Sequence, residues 1–305
     1  MESLTDFGLK EKYSKVKQLR DKLERIKSIV DWDSLTKLFP ERENLVGRPN
    51  YEKILMVKIL FLQSIYSMSD EETEYQCYNR LDFQQFLDFP NYIPDYSTIW
   101  RFREELAEGN TFENIWDEIQ RQIKSKNIKI EEGIIQDAVF IEADPGKTKS
   151  GMNGRGRLAK TSRSKDGSWT KKGKRSIFGF KAHTKVRRGS KFIEEFAVTT
   201  AKTHDGKVDL AEVNDIVYRD RGYSGMGTRA LGDATMKRGN LTPHEYLRNK
   251  RIMKKRSIGE HPYGYIDRNF HRDGTKLTEL HRVFIQTGFV FMAYNIFRLL
   301  FLVGK

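Results

Sequence analysis

Residues 133–143 read GIIQDAVFIEA, and this stretch decides the fold class expected for the second half of the chain. Its β-branched and aromatic side chains are typical of a strand. Aspartate is disfavoured within strands, and a buried carboxylate without a partner is costly, so the sequence predicts that another group compensates Asp137. Side chains alternate along a strand, which places Asp137 and Glu142 on opposite faces and argues against a metal site shared by that pair.

Outward from this strand, the pattern predicts a mixed sheet. Further strands are expected at 177–186, 192–200, 216–218 and 234–236, and helices at 205–214 and 244–256. This order of strands and helices is that of a ribonuclease-H-like fold. The predicted fold class is α+β: a helical domain over 1–130, then a ribonuclease-H-like mixed β-sheet domain over 131–305 flanked by helices.

The first 130 residues predict helices. Apolar residues seven apart over 9–30 predict one heptad-like helix, which either packs on the protein's own core or forms a dimer seam. An apolar helix is expected over 51–68, and Ser69 to Glu72 resembles a capping box. A further helix after Asp95 carries Arg101 and Arg103. This arrangement suggests a DNA-binding helix-turn-helix, whereas the net acidic charge of the region favours an ordinary helical domain.

The positive charge of the chain lies in its second half. The net charge is +13, yet residues 1–130 carry 20 Lys+Arg against 23 Asp+Glu. Residues 145–190 hold 15 Lys+Arg, eight glycines and one acid, Asp166. We expect a basic Gly-rich insertion over 145–176, either a solvated loop or an arm that binds the phosphate backbone of DNA through counterion release. The candidate DNA contacts here are Lys171, Lys172, Lys174, Arg175 and Lys181.

Other features limit the class of protein. The single cysteine, Cys77, excludes an internal disulfide framework and a cysteine-based zinc site. The first ten residues do not resemble a signal peptide, so we expect a cytoplasmic location. The apolar stretch 283–303 is long enough for a membrane span, but Gln286, Asn295 and Arg298 interrupt it and favour a buried terminal helix.

Two more carboxylates are placed where chemistry is expected. Asp220 follows the strand 216–218 at its carboxyl end, and Glu260 lies near the start of a helix marked by Pro262. Together with Asp137 they form an oxygen-only donor set, which suits Mg2+. The alternative readings are structural: Asp137 as an edge-strand residue paired with a lysine, Asp220 as a turn residue, and Glu260 as an acid favoured by the helix dipole.

Several short motifs follow one another along most of the chain. They are Gly47 to Pro49, Tyr66 to Glu72, Phe83 to Phe86, Pro94 to Arg103, Gln136 to Ala138, Glu142 to Gly146, Phe178 to Thr184, Thr203 to Asp205, Val208 to Leu210, Val217 to Tyr223, Asp233 to Arg238, Leu247 to Ile252, and Lys255-Arg256 before Gly259-Glu260. In their content and order these motifs resemble the DDE transposases of the insertion sequence 5 family.

The resemblance implies a catalytic triad of Asp137, Asp220 and Glu260 that binds two Mg2+ ions, for which Mn2+ can substitute. It implies strand cleavage at terminal inverted repeats of double-stranded DNA, transfer of the 3′-hydroxyl to target DNA, a homodimer, and action at a prokaryotic nucleoid without a membrane partner. Arg256 and its neighbour Lys255 are the implied phosphate contacts. Related enzymes often carry tyrosine and lysine where this chain has Met253 and Asp267, and the adjacent Arg268 is the candidate substitute.

Two other classes of function remain open at this point. One is a DNA-binding repressor or inactive relic descended from such an enzyme. The other is a metal-dependent nuclease without integration, which would use the same carboxylates. The presence of all three acids argues against decay, whereas Asp267 argues for it.

Overall fold

The computed structural model describes residues 4–18, 21–39, 50–128, 132–146, 166–271 and 274–304. The chain divides into two compact units, one formed by 1–127 with 292–305 and the other by 128–291. The first boundary lies three residues from the one expected at 130. The structure differs from the sequence-based division at the other end, because 292–305 group with the helical unit.

The first unit is helical. Its helices are α1 (Leu4–Gln18), α2 (Lys22–Ile29), α3 (Lys53–Tyr66), α4 (Asp70–Asn79), α5 (Leu81–Phe86), α6 (Tyr96–Glu108) and α7 (Thr111–Ser125), with a 3-10 segment at Asp33–Leu38. The apolar helix α3 is buried along most of its length, as its sequence predicts. Trp32, Phe61 and Phe86 pack together in this core, with ring centroids 5.6 to 6.1 Å apart.

Two predicted helix starts in this unit are confirmed. The Ser69 side chain accepts a hydrogen bond from the Glu72 backbone N–H at 3.1 Å and caps α4. The Asp95 carboxylate accepts from the Thr98 backbone N–H at 2.8 Å and caps α6. In both cases a short polar side chain satisfies a donor that the first helical turn leaves unpaired.

The single helix expected over 9–30 is wrong. Helix α1 ends at Gln18 and α2 begins at Lys22, because Asp21 adopts a non-helical backbone and its carboxylate accepts from the Leu23 backbone N–H at 3.0 Å. Leu23 and Ile26 are buried within the first unit. These two residues of the proposed heptad therefore pack on the protein's own core.

The second unit contains a six-stranded mixed sheet. Its strands are β1 (Ile134–Glu142), β2 (Ser168–Lys172), β3 (Arg175–Arg187), β4 (Ile193–Thr200), β5 (Ile216–Arg219) and β6 (Gly232–Thr235). The order is β2-β3-β1-β5-β6, and β4 also pairs with β3. Strand β3 is antiparallel to β1, β2 and β4, whereas β5 is parallel to β1 and β6. The α+β class is therefore confirmed, and β1 is a central strand.

Three helices follow the sheet strands: α8 (Pro243–Arg256), α9 (Glu260–Phe270) and α10 (Leu280–Val303). A capping box of Thr242 and Glu245 starts α8, with Pro243 at the first helical position. Helix α10 is long and apolar enough to cross a membrane by composition, but 72% of its most apolar window is buried within the structure. Such burial is what a core helix of a globular protein shows, as the sequence predicts.

Two expectations for the second unit need correction. Residues 205–214 do not form a helix; only Asp205–Lys207 make a 3-10 turn. The carboxylate of Asp209 accepts from the backbone N–H groups of Ala211 and Arg229 at 3.1 and 2.7 Å, and such side-chain bonds compete with helix formation.

The basic insertion expected over 145–176 is in part a strand. Residues 168–172 form β2, which pairs with β3 across a two-residue turn, and Gly173 takes a φ of 61° in that turn. A glycine adopts this conformation without the steric cost that a side chain would bring. Residues 147–165 of the insertion, like the Gly47 to Pro49 motif, lie outside the described residues.

Candidate active site

The parallel pairing of β1 with β5 brings two of the predicted carboxylates together. Ile134 pairs with Val217 and Ile135 with Tyr218. Extended by two residues beyond these pairs, the same register brings Asp137 level with Asp220, which directly follows β5. After burial, the charge of Asp220 is among the causes that raise the pKa of Asp137, as expected for neighbouring carboxylates. The carboxyl end of a strand in an open sheet is a common position for ligand sites.

A tight turn holds Asp220 in place. Its carboxylate Oδ1 accepts a hydrogen bond from the Gly222 backbone N–H at 2.7 Å and caps the 3-10 turn Arg221–Tyr223. A Cβ at position 222 would lie 2.9 Å from that same oxygen. A side chain at position 222 would therefore have to displace the Asp220 carboxylate from this position.

The remaining predicted residues, Arg256 and Glu260, lie at the junction between α8 and α9. Helix α8 ends at Arg256, and α9 begins at Glu260 after a 3-10 turn, Ser257–Gly259. Gly259 packs directly on β1, where a Cβ would lie 2.6 Å from Cγ2 of Ile135. This close approach places Arg256 and Glu260 beside the strand that carries Asp137.

Arg256 lies between the first and third carboxylates. Its Nη1 donates to Oδ2 of Asp137 at 2.6 Å, and its Nη2 lies 3.9 Å from Oε1 of Glu260. The other oxygen of Asp137 accepts from the Ala138 backbone N–H at 3.0 Å. Asp137 is therefore compensated as predicted, but by an arginine on a helix, and the alternative of an edge-strand aspartate with a lysine partner is wrong.

The carboxylates differ in their exposure, and the pKa of Asp137 is shifted. Burial raises the pKa of Asp137, the Arg256 guanidinium opposes that rise, and the neighbouring Asp220 carboxylate adds to it. The Asp137 side chain is 19% exposed, whereas Glu260 is 68% exposed. Among the residues that the structure describes, no three His, Cys, Asp or Glu side chains converge as a metal-binding group. The expected three-carboxylate cluster is not formed, because Arg256 lies between Asp137 and Glu260.

The chemistry of the site still fits a divalent cation. Asp137 and Asp220 offer only oxygen donors, which magnesium-like cations prefer. Burial and, as a smaller contribution, repulsion from Asp220 raise the pKa of Asp137, so a cation that neutralised both carboxylates would be favoured. Arg256 pairs with Asp137 and lies 3.9 Å from Glu260, and one guanidinium does not balance three carboxylates.

Two tyrosines near the site were not predicted. The Tyr223 hydroxyl is buried with no hydrogen-bond partner among the described residues, and burial followed by the charges of Asp205 and Asp137 raises its pKa. The Tyr263 hydroxyl lies 2.5 Å from that of Thr184, which is the β3 neighbour of Asp137. Sequence reasoning missed these tyrosines because they lie near the acids only in the folded protein, and no sequence pattern indicates that proximity before the sheet register is known.

Two predicted DNA contacts are buried. Arg103 is 4% exposed, pairs with Asp70 and donates to Oε1 of Gln63 at 2.8 Å. Lys181 is 6% exposed and donates to Asp205 and to the Thr203 carbonyl, each at 2.7 Å. Buried charges are stable only when paired in this way, so neither side chain is available to a phosphate and we leave both out of the proposed interface.

Apart from Arg256, which is 18% exposed, the other candidate DNA contacts are exposed where their side chains are described. Lys171, Lys174 and Arg175 lie on the β2–β3 hairpin, and Arg175 pairs with Glu142 at 2.8 Å. Lys172 belongs to the same hairpin, but its side chain is outside the described set.

Further exposed candidates lie on helices. Lys255 lies 5.2 Å from the centroid of the Tyr218 ring. Arg268 is exposed on α9, next to the exposed Asp267, and Arg101 is exposed on α6. Met253, which stands where related enzymes often carry tyrosine, is also exposed, at 54%.

Comparisons with known proteins agree with this geometry. A family model described as "Transposase DDE domain" matches residues 129–296, and one described as "Transposase domain (DUF772)" matches 11–105. No solved structure matches the chain. The match to the transposase DDE domain thus defines the class: a metal-dependent enzyme of DNA cleavage and transfer. The chain belongs to the DDE transposases, of the insertion sequence 5-like type.

Proposed function

We propose that this protein is the transposase of an insertion sequence, which binds the terminal inverted repeats and catalyses Mg2+-dependent strand cleavage followed by 3′-hydroxyl strand transfer. The observation that carries the proposal is the register of β1 and β5, which sets Asp137 beside Asp220. The packing of Gly259 on Ile135 brings Arg256 and Glu260 next to the same strand.

We further propose that the catalytic sheet is ribonuclease-H-like. Strands β4, β3 and β1 are successive antiparallel neighbours, and β5 and β6 continue the sheet in parallel with β1. This arrangement supports the fold expected from the order of elements in the sequence. It also explains why the two aspartates, 83 residues apart in sequence, are adjacent.

In this proposal Asp137, Asp220 and Glu260 hold the divalent ions. Bound Mg2+ supplies an activated water and stabilises the leaving oxygen in an in-line displacement at phosphorus. Arg256 and Lys255, in the basic last turn of α8, orient the DNA by contacting backbone phosphates. Arg268 provides a further cation on the exposed side of α9, one position from Asp267.

The exposed cations of the β2–β3 hairpin, Lys171, Lys174 and Arg175, provide the sequence-independent part of DNA binding. The second half of the chain carries the excess positive charge that such binding needs. The substrates are the inverted repeats and the target duplex. Two ends must be brought together, so the working form is a homodimer, and the site of action is the cytoplasm at the nucleoid.

The decisive test is the substitution Asp137→Asn in the full chain, assayed for cleavage of duplexes that carry the ends flanking its gene. Cleavage in Mg2+ should be abolished, while binding to the same duplex in a gel-shift assay should remain within about threefold, because the carboxylate is a metal ligand in this proposal and not a DNA contact. Glu142→Gln changes an acid on the other face of the same strand and should leave cleavage intact. Unchanged cleavage in Asp137→Asn would overturn the assignment.

A second candidate is a DNA-binding repressor descended from such an enzyme. Asp267, exposed where related enzymes often carry lysine, favours it. The unsubstituted protein would then bind the ends but show no nicking in Mg2+ or Mn2+.

A further inference from the structure

The guanidinium of Arg256 occupies the place beside Asp137 that a metal ion needs. Its Nη1 donates to Oδ2 of Asp137 at 2.6 Å while Nη2 lies 3.9 Å from Glu260. The Arg256 side chain is only 18% exposed, so this is a partly buried ion pair rather than a mobile surface contact. Such pairs are considerably stronger than fully exposed ones.

Both oxygens of Asp137 are already engaged. Oδ1 accepts from the backbone N–H of Ala138 and Oδ2 accepts from Arg256. A metal ion that approaches Asp137 must therefore replace the guanidinium at Oδ2 or bind against its positive charge. In the DNA-free protein, Arg256 and the metal compete for one carboxylate.

The same guanidinium is suited to a second partner. Arg256 ends α8 in a turn that also contains Lys254 and Lys255, which makes this helix end a basic surface beside the carboxylates. A backbone phosphate offers Arg256 the same bidentate, charge-assisted hydrogen bonds that a carboxylate offers. Arg256 can pair with Asp137 or with a phosphate, but the two partners compete for its donors.

We propose that Arg256 is a positioning residue that pairs with Asp137 in the DNA-free protein and transfers to a backbone phosphate when DNA binds, so that DNA binding raises the affinity of the site for divalent metal. The inference rests on the proposed function, because it takes Asp137 as a metal ligand. By linkage, the factor by which DNA tightens metal binding equals the factor by which metal tightens DNA binding. The DNA-free enzyme then holds its metal weakly.

The test is Mn2+ binding to the full chain, followed by electron paramagnetic resonance without DNA. Arg256→Gln removes the competing charge and should bind Mn2+ on the order of tenfold more tightly than the unsubstituted protein, as expected for loss of a charge-assisted hydrogen bond. Addition of a saturating 20-base-pair duplex of arbitrary sequence should tighten Mn2+ binding in the unsubstituted protein and leave Arg256→Gln unchanged.

Two variants separate competition at Asp137 from simpler explanations. Lys255→Gln removes a neighbouring charge whose nearest contact is Tyr218, so it should change Mn2+ affinity less than twofold if the effect of Arg256 is specific. Arg256→Lys keeps the charge but loses the forked geometry, and it should fall between the unsubstituted protein and Arg256→Gln. The Mn2+ affinity of Arg256→Lys also tests the proposal if the glutamine variant does not fold.

The outcomes distinguish this inference from the proposed function. If Asp137→Asn removes Mn2+ binding but Arg256→Gln binds Mn2+ no more tightly than the unsubstituted protein, the metal site stands and the competition is refuted. If Asp137→Asn binds Mn2+ as the unsubstituted protein does, the metal site itself, and with it the proposed function, is wrong. If Lys255→Gln tightened Mn2+ binding as much as Arg256→Gln does, the change in affinity would be explained by net charge alone, and the proposed role of Arg256 would be refuted.

Discussion

The contact between Gly259 and Ile135 gives the sharpest test of how the site is assembled. Gly259 has φ −66° and ψ −17°, a right-handed helical conformation that alanine adopts without strain. The substitution Gly259→Ala therefore adds one methyl group and no backbone penalty. That methyl would lie 2.6 Å from Cγ2 of Ile135 and 3.3 Å from its Cβ.

The size of the effect follows from this distance. Carbon atoms pack at about 3.5–4.0 Å, so the α8–α9 junction must retreat from β1 by about 1 Å. Overpacking of this kind costs about 1–3 kcal/mol, of which the better helix propensity of alanine recovers up to about 1 kcal/mol. A displacement of about 1 Å in a catalytic group can lower the rate on the order of 100-fold. We therefore expect a large loss of cleavage with a small loss of stability.

The assay compares Mg2+-dependent cleavage, DNA affinity and thermal unfolding of Gly259→Ala with those of Gly264→Ala. Gly264 lies in α9, the helix that begins directly after Gly259, and a Cβ there has only the end of the Arg268 side chain nearby, at 3.9 Å. Gly259→Ala should retain DNA binding, lose cleavage by about 100-fold, and unfold about 2–8 °C lower. Gly264→Ala should cleave normally and be stabilised by about 0.5–1 kcal/mol.

Cleavage by Gly259→Ala within about threefold of the unsubstituted protein would refute this reasoning. It would mean that Arg256 and Glu260 do not depend on the packing of the junction against β1. An equal loss in Gly264→Ala would show that α9 is sensitive to any added methyl group.

Two further predictions concern other parts of the second unit. His183 is fully buried, donates or accepts at the Thr199 hydroxyl at 2.9 Å, and burial lowers its pKa to about 4. Because the pKa of His183 is lower in the folded than in the unfolded protein, its contribution to the free energy of unfolding is complete above about pH 6.5 and decreases by about 3 kcal/mol as the pH falls to 4. In urea unfolding, the stability of His183→Gln should depend less steeply on pH than that of the unsubstituted protein. An identical pH dependence would contradict the burial of a neutral imidazole. The double substitution Lys171→Ala/Lys174→Ala on the β2–β3 hairpin should lower the slope of log affinity against log salt by about 2, since each phosphate contact contributes about 0.9. An exposed α1 lysine, Lys12, substituted by alanine provides the control, and an unaltered slope in the hairpin variant would remove these residues from the DNA interface.

Local sequence patterns correctly predicted the helices and strands that depend on interactions between residues close together in sequence. The apolar run of α3, the caps at Ser69 and Asp95 and the strand around Asp137 follow from hydrophobic period and from side chains that bond to their own backbone. The failures are also local in origin. Asp21 divides the expected first helix, and Asp209 draws backbone donors away from the helix expected at 205–214.

The predicted DNA contacts separate into exposed and buried residues for a reason that sequence does not contain. Arg101 and Arg103 are two positions apart on α6, so they point to different sides of the helix, and only the second one faces Asp70. Lys181 lies in a strand that also contains Arg175, Lys185 and Arg187, yet it is buried against Asp205. Charge counting treats such residues alike, whereas burial depends on which elements pack on each face.

By itself the sequence determined that this is an α+β protein with its positive charge in the second half, and it pointed to Asp137, Asp220 and Glu260 as unusual acids. Only the tertiary structure decided how these residues relate. A parallel register between distant strands sets Asp137 beside Asp220, and a glycine without a side chain lets a helix junction bring Arg256 against Asp137. Register and close packing are properties of pairs of elements distant in sequence, and no single stretch of sequence specifies them.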